Sequence, residues 1–409
     1  MSKIEIKDLY VVFGNDKQKA LSMLKKGKTK GEILKELNCT IAVKNVNLSI
    51  NEGEIFVIMG LSGSGKSTLL RCINRLIRPT KGEVVINGMD IANISDKSLL
   101  NVRRKTLAMV FQDFGLLPHR TVLSNIAFGL ELQNKNGKKE REEKAMNSMQ
   151  LVGLKGYENQ MVSELSGGMQ QRVGLARALA NNPEVLLMDE AFSALDPLIR
   201  AQMQDELLLL QNKMKKTIVF ITHDLSEAIK LGDRIAIMRD GEIIQTGTSE
   251  DILTSPANEY VERFVENVDR SKIITAASLM KGKSLVAQYK KEGPEAIIRK
   301  MKEQNLMILP VVDSDYKLMG SVRLENLLEL RANGIHSIDA AIHHEVHSIL
   351  SNTLIEDILP LMIKTNSPIW VVNEEQEYLG AVPLSSLIIE ITGKDKQEIR
   401  KIIQKSIDL

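Results

Sequence analysis

The sequence predicts an α/β chain, with a largely parallel sheet and interleaved helices followed by a smaller α+β region that contains one unit twice. Three observations predict it. Short apolar stretches at 55–59, 185–188 and 218–222 alternate with helical stretches such as 169–181 and 198–214, the pattern of strands buried on both faces. The first apolar stretch runs directly into Gly60-Leu61-Ser62-Gly63-Ser64-Gly65-Lys66-Ser67, and residues 68–73 continue as a helix. Beyond residue 279, the run Met301…Asn305…Pro310-Val311-Val312-Asp313…Leu318-Met319-Gly320…Leu327-Leu328 is echoed 60 or 61 residues later by Met362…Asn366…Pro368-Ile369-Trp370…Leu379-Gly380…Leu387-Ile388.

Taken in order, residues 1–14 and 41–58 read as strands around an insertion at about 15–40. Within it Ala20, Leu21, Met23, Leu24, Ile33, Leu34 and Leu37 have the spacing of one or two short amphipathic helices. Residues 16–36 hold seven lysines against three acidic residues, a basic surface read as a solvated face. Each copy of the later repeat reads helix, strand, turn, strand, helix, too little to build a core alone, so the two are expected to pack together.

Composition narrows the function. At 409 residues the chain has room for two or three domains. Lys and Arg number 54 against 52 acidic residues, a net charge of +2, and aromatics are 4%. That balance argues against nucleic-acid binding, which needs a basic surface and stacking rings. Cys39 and Cys72 are too few for a disulfide scaffold or a four-cysteine zinc site, which suggests a reducing cytosol. The N-terminus alternates as a strand does and has no signal-peptide core. No apolar run approaches the roughly 20 residues a spanning helix needs. If the chain serves a membrane, it is expected to do so peripherally.

The chemistry lies in the loops. Gly60, Gly63 and Gly65 let backbone N–H groups approach phosphate, Lys66 places a charge on the β- and γ-phosphates, and Ser67 offers a hydroxyl to Mg²⁺. Asp189 ends an apolar strand, the position for a carboxylate that holds Mg²⁺ directly or through water. Glu190 comes next, points elsewhere, and is expected to act as the base for the attacking water. His223 ends another strand and is placed to donate to the γ-phosphate. Gln112 follows the apolar Met109-Val110-Phe111 and is a candidate contact for Mg²⁺ or the water. Phe13, beside Gly14, is expected to stack on adenine, with Tyr10 as the competing aromatic. A second glycine-rich element, Leu165-Ser166-Gly167-Gly168-Met169-Gln170-Gln171-Arg172, opens a helix and supplies further N–H groups for phosphate. The first loop already occupies one side of the triphosphate, so the second is expected to act on nucleotide held by another copy of the chain, in a homodimer.

These motifs, in this order, resemble the ATP-binding cassette (ABC) ATPases over about residues 1–265. The resemblance makes Gly60 to Thr68 the Walker A loop, with Leu61, Ser62, Ser64 and Thr68 on the nucleotide. It makes Gln112 the Q-loop, 165–170 the signature, Asp189 the Walker B carboxylate and Glu190 the catalytic glutamate. Ser193-Ala194-Leu195-Asp196 becomes the D-loop and His223 the switch histidine. Met169-Gln170 departs from the single Gln of many members. Ser166, Gly167, Gly168, Gln170 and Asp196 of one subunit are then implied to close on nucleotide held by Lys66 of the other, with ATP and Mg²⁺ as cofactors. More narrowly, 165–177 and 189–200, with the helical insert, resemble the ATPases of glycine betaine/proline betaine importers. That implies a bacterial subunit on the cytoplasmic face of the membrane. Its partners would be integral membrane permease subunits and an extracellular-side substrate-binding protein or permease-fused receptor domain. The cargo would be glycine betaine, with proline betaine and carnitine as further quaternary ammonium solutes. In the family, 113–125 helps form the groove for a permease helix, and Phe114, Leu116 and Leu117 look exposed enough to line it. The alternatives are an importer for another small solute and a soluble ABC ATPase acting on nucleic acid or ribosomes.

The repeat resembles a tandem pair of cystathionine-β-synthase (CBS) domains, placed at 279–338 and 341–400 after a linker at 266–278. Gly320-Ser321-Val322-Arg323-Leu324-Glu325-Asn326 and Gly380-Ala381-Val382-Pro383-Leu384-Ser385-Ser386 lack the hydroxyl–carboxylate pair with which such pairs usually contact ribose. Cyclic di-AMP, which some CBS modules bind through apolar and backbone contacts, is the candidate ligand, against a purely dimerising module. Lys281, Lys283, Lys290, Lys291, Arg299, Lys300 and Lys302 are read as a solvated face, and His343, His344 and His347 as a loop cluster.

Overall fold

The computed structural model describes residues 2–133, 137–266, 268, 270–280, 282, 285–365 and 367–392. The chain divides at residue 268 into two compact units.

The first unit opens with β1 (Ser2–Phe13). After the insert, α1 (Lys17–Lys25) and α2 (Lys30–Leu37), β2 (Thr40–Asn51) returns antiparallel to β1. Thr29 and Glu32 start α2 with a reciprocal capping box, and Ala20, Leu21 and Ile33 pack on Val12, Cys39 and Ile41. β3 (Ile55–Met59) leads into α3 (Lys66–Ile73), then β4 (Lys81–Ile86), β5 (Met89–Asp90), α4 (Asp96–Lys105) and β6 (Leu107–Val110). Three helices follow: α5 (Val122–Gln133), α6 (Lys138–Leu151) and α7 (Gly167–Leu179). The unit continues through β7 (Val185–Asp189), α8 (Pro197–Met214), β8 (Thr217–Thr222), α9 (Leu225–Leu231), β9 (Arg234–Arg239) and β10 (Glu242–Gly247), and ends in α10 (Ser249–Thr254) and α11 (Glu259–Val265).

Two sheets result, β2-β1-β4-β5 and β10-β9-β3-β8-β7-β6. The second is parallel from β9 to β6, with β10 antiparallel at its edge. Every residue of β3, β7 and β8 is buried, so their unbroken apolar runs are interior strands. The expected strand over 41–58 is in fact two strands in different sheets, separated by a turn in which Gly53 takes φ +77°. β1 and β2 lie with β4 and β5 in the antiparallel sheet. Its inner face, with Ile4, Ile6, Val46 and Ile50, shares one core with Ile58, Leu187 and Val219 of the parallel sheet. Each such aliphatic side chain stabilises the fold by about 1.5–3 kcal/mol. The carboxyl ends of β3, β8, β7 and β6 lie side by side, so Gly60, His223, Glu190 and Gln112 all emerge at one edge.

The second unit holds α12 (Ala276–Leu279), β11 (Ala287–Gln288), α13 (Pro294–Glu303), β12 (Ile308–Val312), β13 (Leu318–Arg323), α14 (Leu324–Ala332) and β14 (Ile342–His343). The second copy follows with β15 (Ser348–Leu350), α15 (Ile355–Thr365), β16 (Ile369–Val372), β17 (Tyr378–Val382) and α16 (Leu384–Thr392). Each copy is helix, strand, strand, helix, in sheets ordered β11-β12-β13-β14 and β15-β16-β17. The boundaries differ from the sequence expectation because the copies exchange their leading segments. Ile274, Ala276 and Leu279, taken as linker or first copy, pack into the second copy's core with Ile349, Ile355 and Val371. Ala276 N–H donates to Thr353 O at 2.8 Å. Conversely, Ile342 and His343, assigned to the second copy, pair with Val322 and Ser321 of the first. The hairpins meet at Leu318 N–H to Gln376 O (3.1 Å) and Tyr378 N–H to Tyr316 O (2.9 Å), beside Trp370 set edge-on to Tyr378. Asn366, Lys281, Lys283 and the 393–400 part of the expected second copy lie outside the described residues.

Candidate active site

The turn from β3 to α3 needs its glycines for space as well as for conformation. Gly60 takes φ +153° and a Cβ there would lie 2.1 Å from Met238 O; at Gly65, φ +104°, it would lie 2.4 Å from Ala42 O. The loop thus wraps tightly around the start of α3, whose orphan N–H groups and positive dipole end suit an anion. Lys66 opens that helix, is buried, and donates Nζ to Gly60 O (2.8 Å) and Leu61 O (3.0 Å). Burial lowers its pKa, with Glu190 and Asp189 pulling it back up. Ser64 Oγ is buried without a partner in the same loop.

Ser67 Oγ donates to Asp189 Oδ1 at 2.8 Å, and Asp189 is 3% exposed. A hydroxyl and a carboxylate set side by side are hard oxygen donors, the set Mg²⁺ takes, so the residues fit that ion. The second Asp189 oxygen accepts from Arg71 Nη2 at 3.2 Å. Arg71 belongs to no local motif, but four residues after Ser67 it shares that residue's helix face.

Glu190 holds φ +44°, rare for a side-chain-bearing residue. Its N–H donates to Ile221 O (3.2 Å), and its carbonyl accepts from Ser193 N–H (3.1 Å) and Ser193 Oγ (2.9 Å). These bonds offset strain on the order of 1–3 kcal/mol and turn the carboxylate away from Asp189. Glu190 Oε2 lies 3.2 Å from His223 Nδ1, and Oε1 lies 4.0 Å from Lys66 Nζ. One carboxylate therefore stands between the lysine and the exposed histidine.

The other expected site residues fall into two groups. Ser67 and Asp189 form one contact pair and Lys66, Glu190 and His223 a second set beside it. Phe13 is 43% exposed at the end of β1, whereas Tyr10 packs with the insert and lies under Lys81, whose Nζ is 5.2 Å from its ring centre. Gln112 is exposed at the end of β6, beside β7 but without a hydrogen bond to Asp189 or Ser67. Ser166 caps α7, its Oγ accepting from Met169 N–H (3.4 Å), and Asp196 caps α8, accepting from Ile199 N–H (3.1 Å). Among the described residues no hydrogen bond joins 166–168 to the phosphate loop of the same chain. Gly168 is also a packing requirement, since a Cβ there would meet Ile199 Cγ2 at 2.6 Å. Gln170, expected on the nucleotide, instead donates Nε2 to Val162 O (3.0 Å) and Leu165 O (3.3 Å), ordering the turn before α7.

Phe114, Leu116 and Leu117 are half-buried rather than exposed. Asn125, fully buried, accepts from Leu117 N–H (2.8 Å) and donates back to Leu117 O (3.0 Å), closing that loop inward. The exposed aromatic is Phe111, at the rim of a groove of about 400 Å³ lined also by Leu76, Phe128 and Asn181.

In the second unit, a cleft of about 740 Å³ runs between the copies, with Met307, Pro310, Leu324 and Trp370 on its walls and Arg323 and Glu325 as charges. An adjoining cleft of about 540 Å³ is polar, with Asn326, His343, His347 and Lys364. His343 Nε2 sits 2.9 Å from Asn326 Nδ2, and His344 Nδ1 3.2 Å from Met319 O. Of the described basic residues in the first copy, Lys300 pairs with Glu292 and Lys290 sits 5.4 Å from the centre of the Tyr289 ring.

A family model described as ABC transporter matches residues 43–193. The glycine betaine/carnitine transport ATP-binding protein GbuA of Listeria monocytogenes serotype 1/2a is 50% identical over 395 residues, 97% of this chain and 99% of its own length. The glycine betaine transport ATP-binding protein OpuAA of Bacillus subtilis is 49% identical over 394 residues, 96% of this chain and 93% of its own. Among solved structures, the dimeric post-hydrolysis state of the ATP-binding cassette MJ0796, bound to ADP and Pi, is 35% identical. It covers 60% of this chain and 98% of that one, with a TM-score of 0.51.

Proposed function

The chain belongs to the ABC transporter ATP-binding proteins of glycine betaine transport, and on that ground we propose how its residues perform the family's work. It is an ATPase coupled to transport, serving the uptake of quaternary ammonium osmoprotectants. The observation that carries the site assignment is a pair of contact sets at one sheet edge, Ser67–Asp189 and Lys66–Glu190–His223, which are neighbours along the chain at 66–67 and 189–190. Lys66 and the loop N–H groups hold the β- and γ-phosphates, and Ser67 and Asp189 hold Mg²⁺. Mg²⁺, when bound, neutralises charge developing on the phosphate oxygens. Glu190 accepts the proton of the attacking water, and His223 donates to a γ-phosphate oxygen and fixes the carboxylate. Phe13 stacks on adenine.

Ser166, Gly167 and Gly168 complete the site of a second copy, which makes ATP a bridge in a homodimer; the dimeric, ADP-bound relative supports that arrangement. The groove at Phe111 receives the membrane permease subunits, which places this subunit peripherally on the cytoplasmic face. An extracellular-side receptor would deliver glycine betaine, with carnitine and proline betaine as further cargo. The test is reconstitution with permease and receptor in vesicles. Glycine betaine should stimulate hydrolysis and accumulate inside; stimulation by another solute and not by betaine would overturn the cargo.

For the second unit we propose a tandem CBS module whose apolar cleft takes cyclic di-AMP. The supporting observation is a cleft walled by Met307, Pro310, Leu324 and Trp370, with Arg323, 3.8 Å from Glu325, as the cation on its wall. Cyclic di-AMP titrated into the full chain should give saturable heat, and no heat or shift ends the idea.

A further inference from the structure

Arg177 has no role in the ATP chemistry, yet its bonds are specific. It sits in the last turn of α7, ten residues after Gly167, about 15 Å along the helix from the signature end. Nη1 donates to Gly115 O at 2.6 Å and Nη2 to Phe114 O at 2.7 Å. Among the described residues no carboxylate pairs with it. A half-buried guanidinium whose charge is met by two main-chain carbonyls and no carboxylate is costly unless those bonds matter.

The carbonyls belong to a turn that needs holding. Phe114 (φ +58°) and Gly115 (φ +56°) are consecutive left-handed residues, and Phe114 N–H folds back to Phe111 O at 3.1 Å. A phenylalanine in that region is strained and stays there only where its surroundings fix it. The same turn carries Gln112 on one side and forms part of the groove wall with Phe111 and Gly115 on the other. Asn125 holds the far end of this loop at Leu117, and α7 holds the turn itself through a planar fork, which sets two positions where a single ammonium sets one.

We propose that Arg177 is a positioning residue that ties the helix beginning at the signature to the 111–115 turn, so that movement of α7 on closing over a partner's nucleotide is delivered to Gln112 and to the permease groove. This rests on the dimer and docking readings above. Among the described residues Arg177 bonds to none of Lys66, Ser67, Asp189, Glu190 and His223, so it sets coupling and leaves ATP affinity alone.

The experiment uses the complete reconstituted importer with wild-type, Arg177→Ala and Arg177→Lys subunits. KM for ATP, receptor-free turnover, betaine-stimulated turnover and betaine accumulated per ATP are measured. The expected result for both variants is a KM within about twofold of wild type and a loss of roughly tenfold or more in the stimulated-to-basal ratio. The betaine carried per ATP should fall in parallel. Should the alanine variant fold poorly, the lysine variant decides, because it keeps the aliphatic stem. A ratio that stays at the wild-type value, even with lower absolute turnover or lower Tm, overturns the proposal by making Arg177 structural. If the wild-type subunit itself fails to bind the permease or respond to betaine, the docking reading falls and this inference with it.

Discussion

Replacing Glu190 by Gln removes one proton acceptor and almost nothing else. The amide has the carboxylate's shape, and the backbone bonds to Ile221 and Ser193 do not involve the side chain. A positioned general base contributes about 10²–10⁴-fold, or roughly 3–5 kcal/mol of barrier, and turnover should fall by that factor. Affinity should move the other way. Lys66 Nζ is 4.0 Å from Glu190 Oε1, so part of the lysine's field is spent on that carboxylate. With a neutral amide there, phosphate meets the full charge, and ATP should bind as tightly as to the wild type or a few-fold more tightly. Slow hydrolysis with retained binding should leave an ATP-dependent dimer. The assay is single-turnover phosphate release with enzyme in excess, with gel filtration plus and minus ATP·Mg²⁺. Turnover within threefold of the wild type would refute the base assignment. Loss of ATP binding would show instead that Glu190 shapes the phosphate site.

Gly168→Ala should lower Tm by roughly 3–10 °C, from about 1–3 kcal/mol of overpacking against Ile199 Cγ2 at 2.6 Å, and Ile199→Ala in the same chain should recover most of it on a melting curve. Phe220→Ala, which empties a fully buried site beside Phe192 at 5.5 Å ring separation, should cost about 3–5 kcal/mol in denaturant titration. Glu227 is buried beside Gln204, and desolvation raises its pKa, so the folded chain binds a proton the unfolded chain has released. Its stability contribution is therefore greatest below the ordinary carboxyl value of 4.5 and is lost as pH rises through the folded value. Glu227→Gln should then raise Tm at neutral pH relative to wild type and gain nothing at pH 4; a constant difference across pH would refute the assignment.

The residues readable from sequence share a physical cause. Strands built on unbroken apolar runs, 55–59, 185–188 and 218–221, can only be interior, so β3, β7 and β8 and the loops at their ends followed from local pattern. Lys66, Asp189, Glu190 and His223 inherited their places from those strand ends. What local pattern does not contain is the direction of a side chain between elements distant in sequence. Gln170 reads as a ligand by motif but turns back to Val162 and Leu165. Arg71 needed the helical repeat of α3 laid beside β7. The division of 41–58 between two sheets hinges on the Gly53 turn, and both halves are apolar enough to read as one strand.

The boundaries of the repeat differ from those the sequence pattern suggests because the two copies exchange segments. Ile274, Ala276 and Leu279 precede the first copy but are buried in the second, while Ile342 and His343 precede the second but complete the first copy's sheet. Neither copy keeps its full core once separated from its neighbour, so the two are expected to fold as one cooperative body. The cleft between them draws Pro310 and Leu324 from one copy and Pro368 and Trp370 from the other. A ligand there contacts both copies at once, and it can shift their arrangement only by the difference in its affinity for the two settings. Under the proposed binding, regulation would depend on contacts that change between copies rather than on tight binding within one; a substitution at the exposed Arg323 should alter response more than fold, whereas one at Trp370, 4% exposed and packed with Val312 and Tyr378, should lower stability as well.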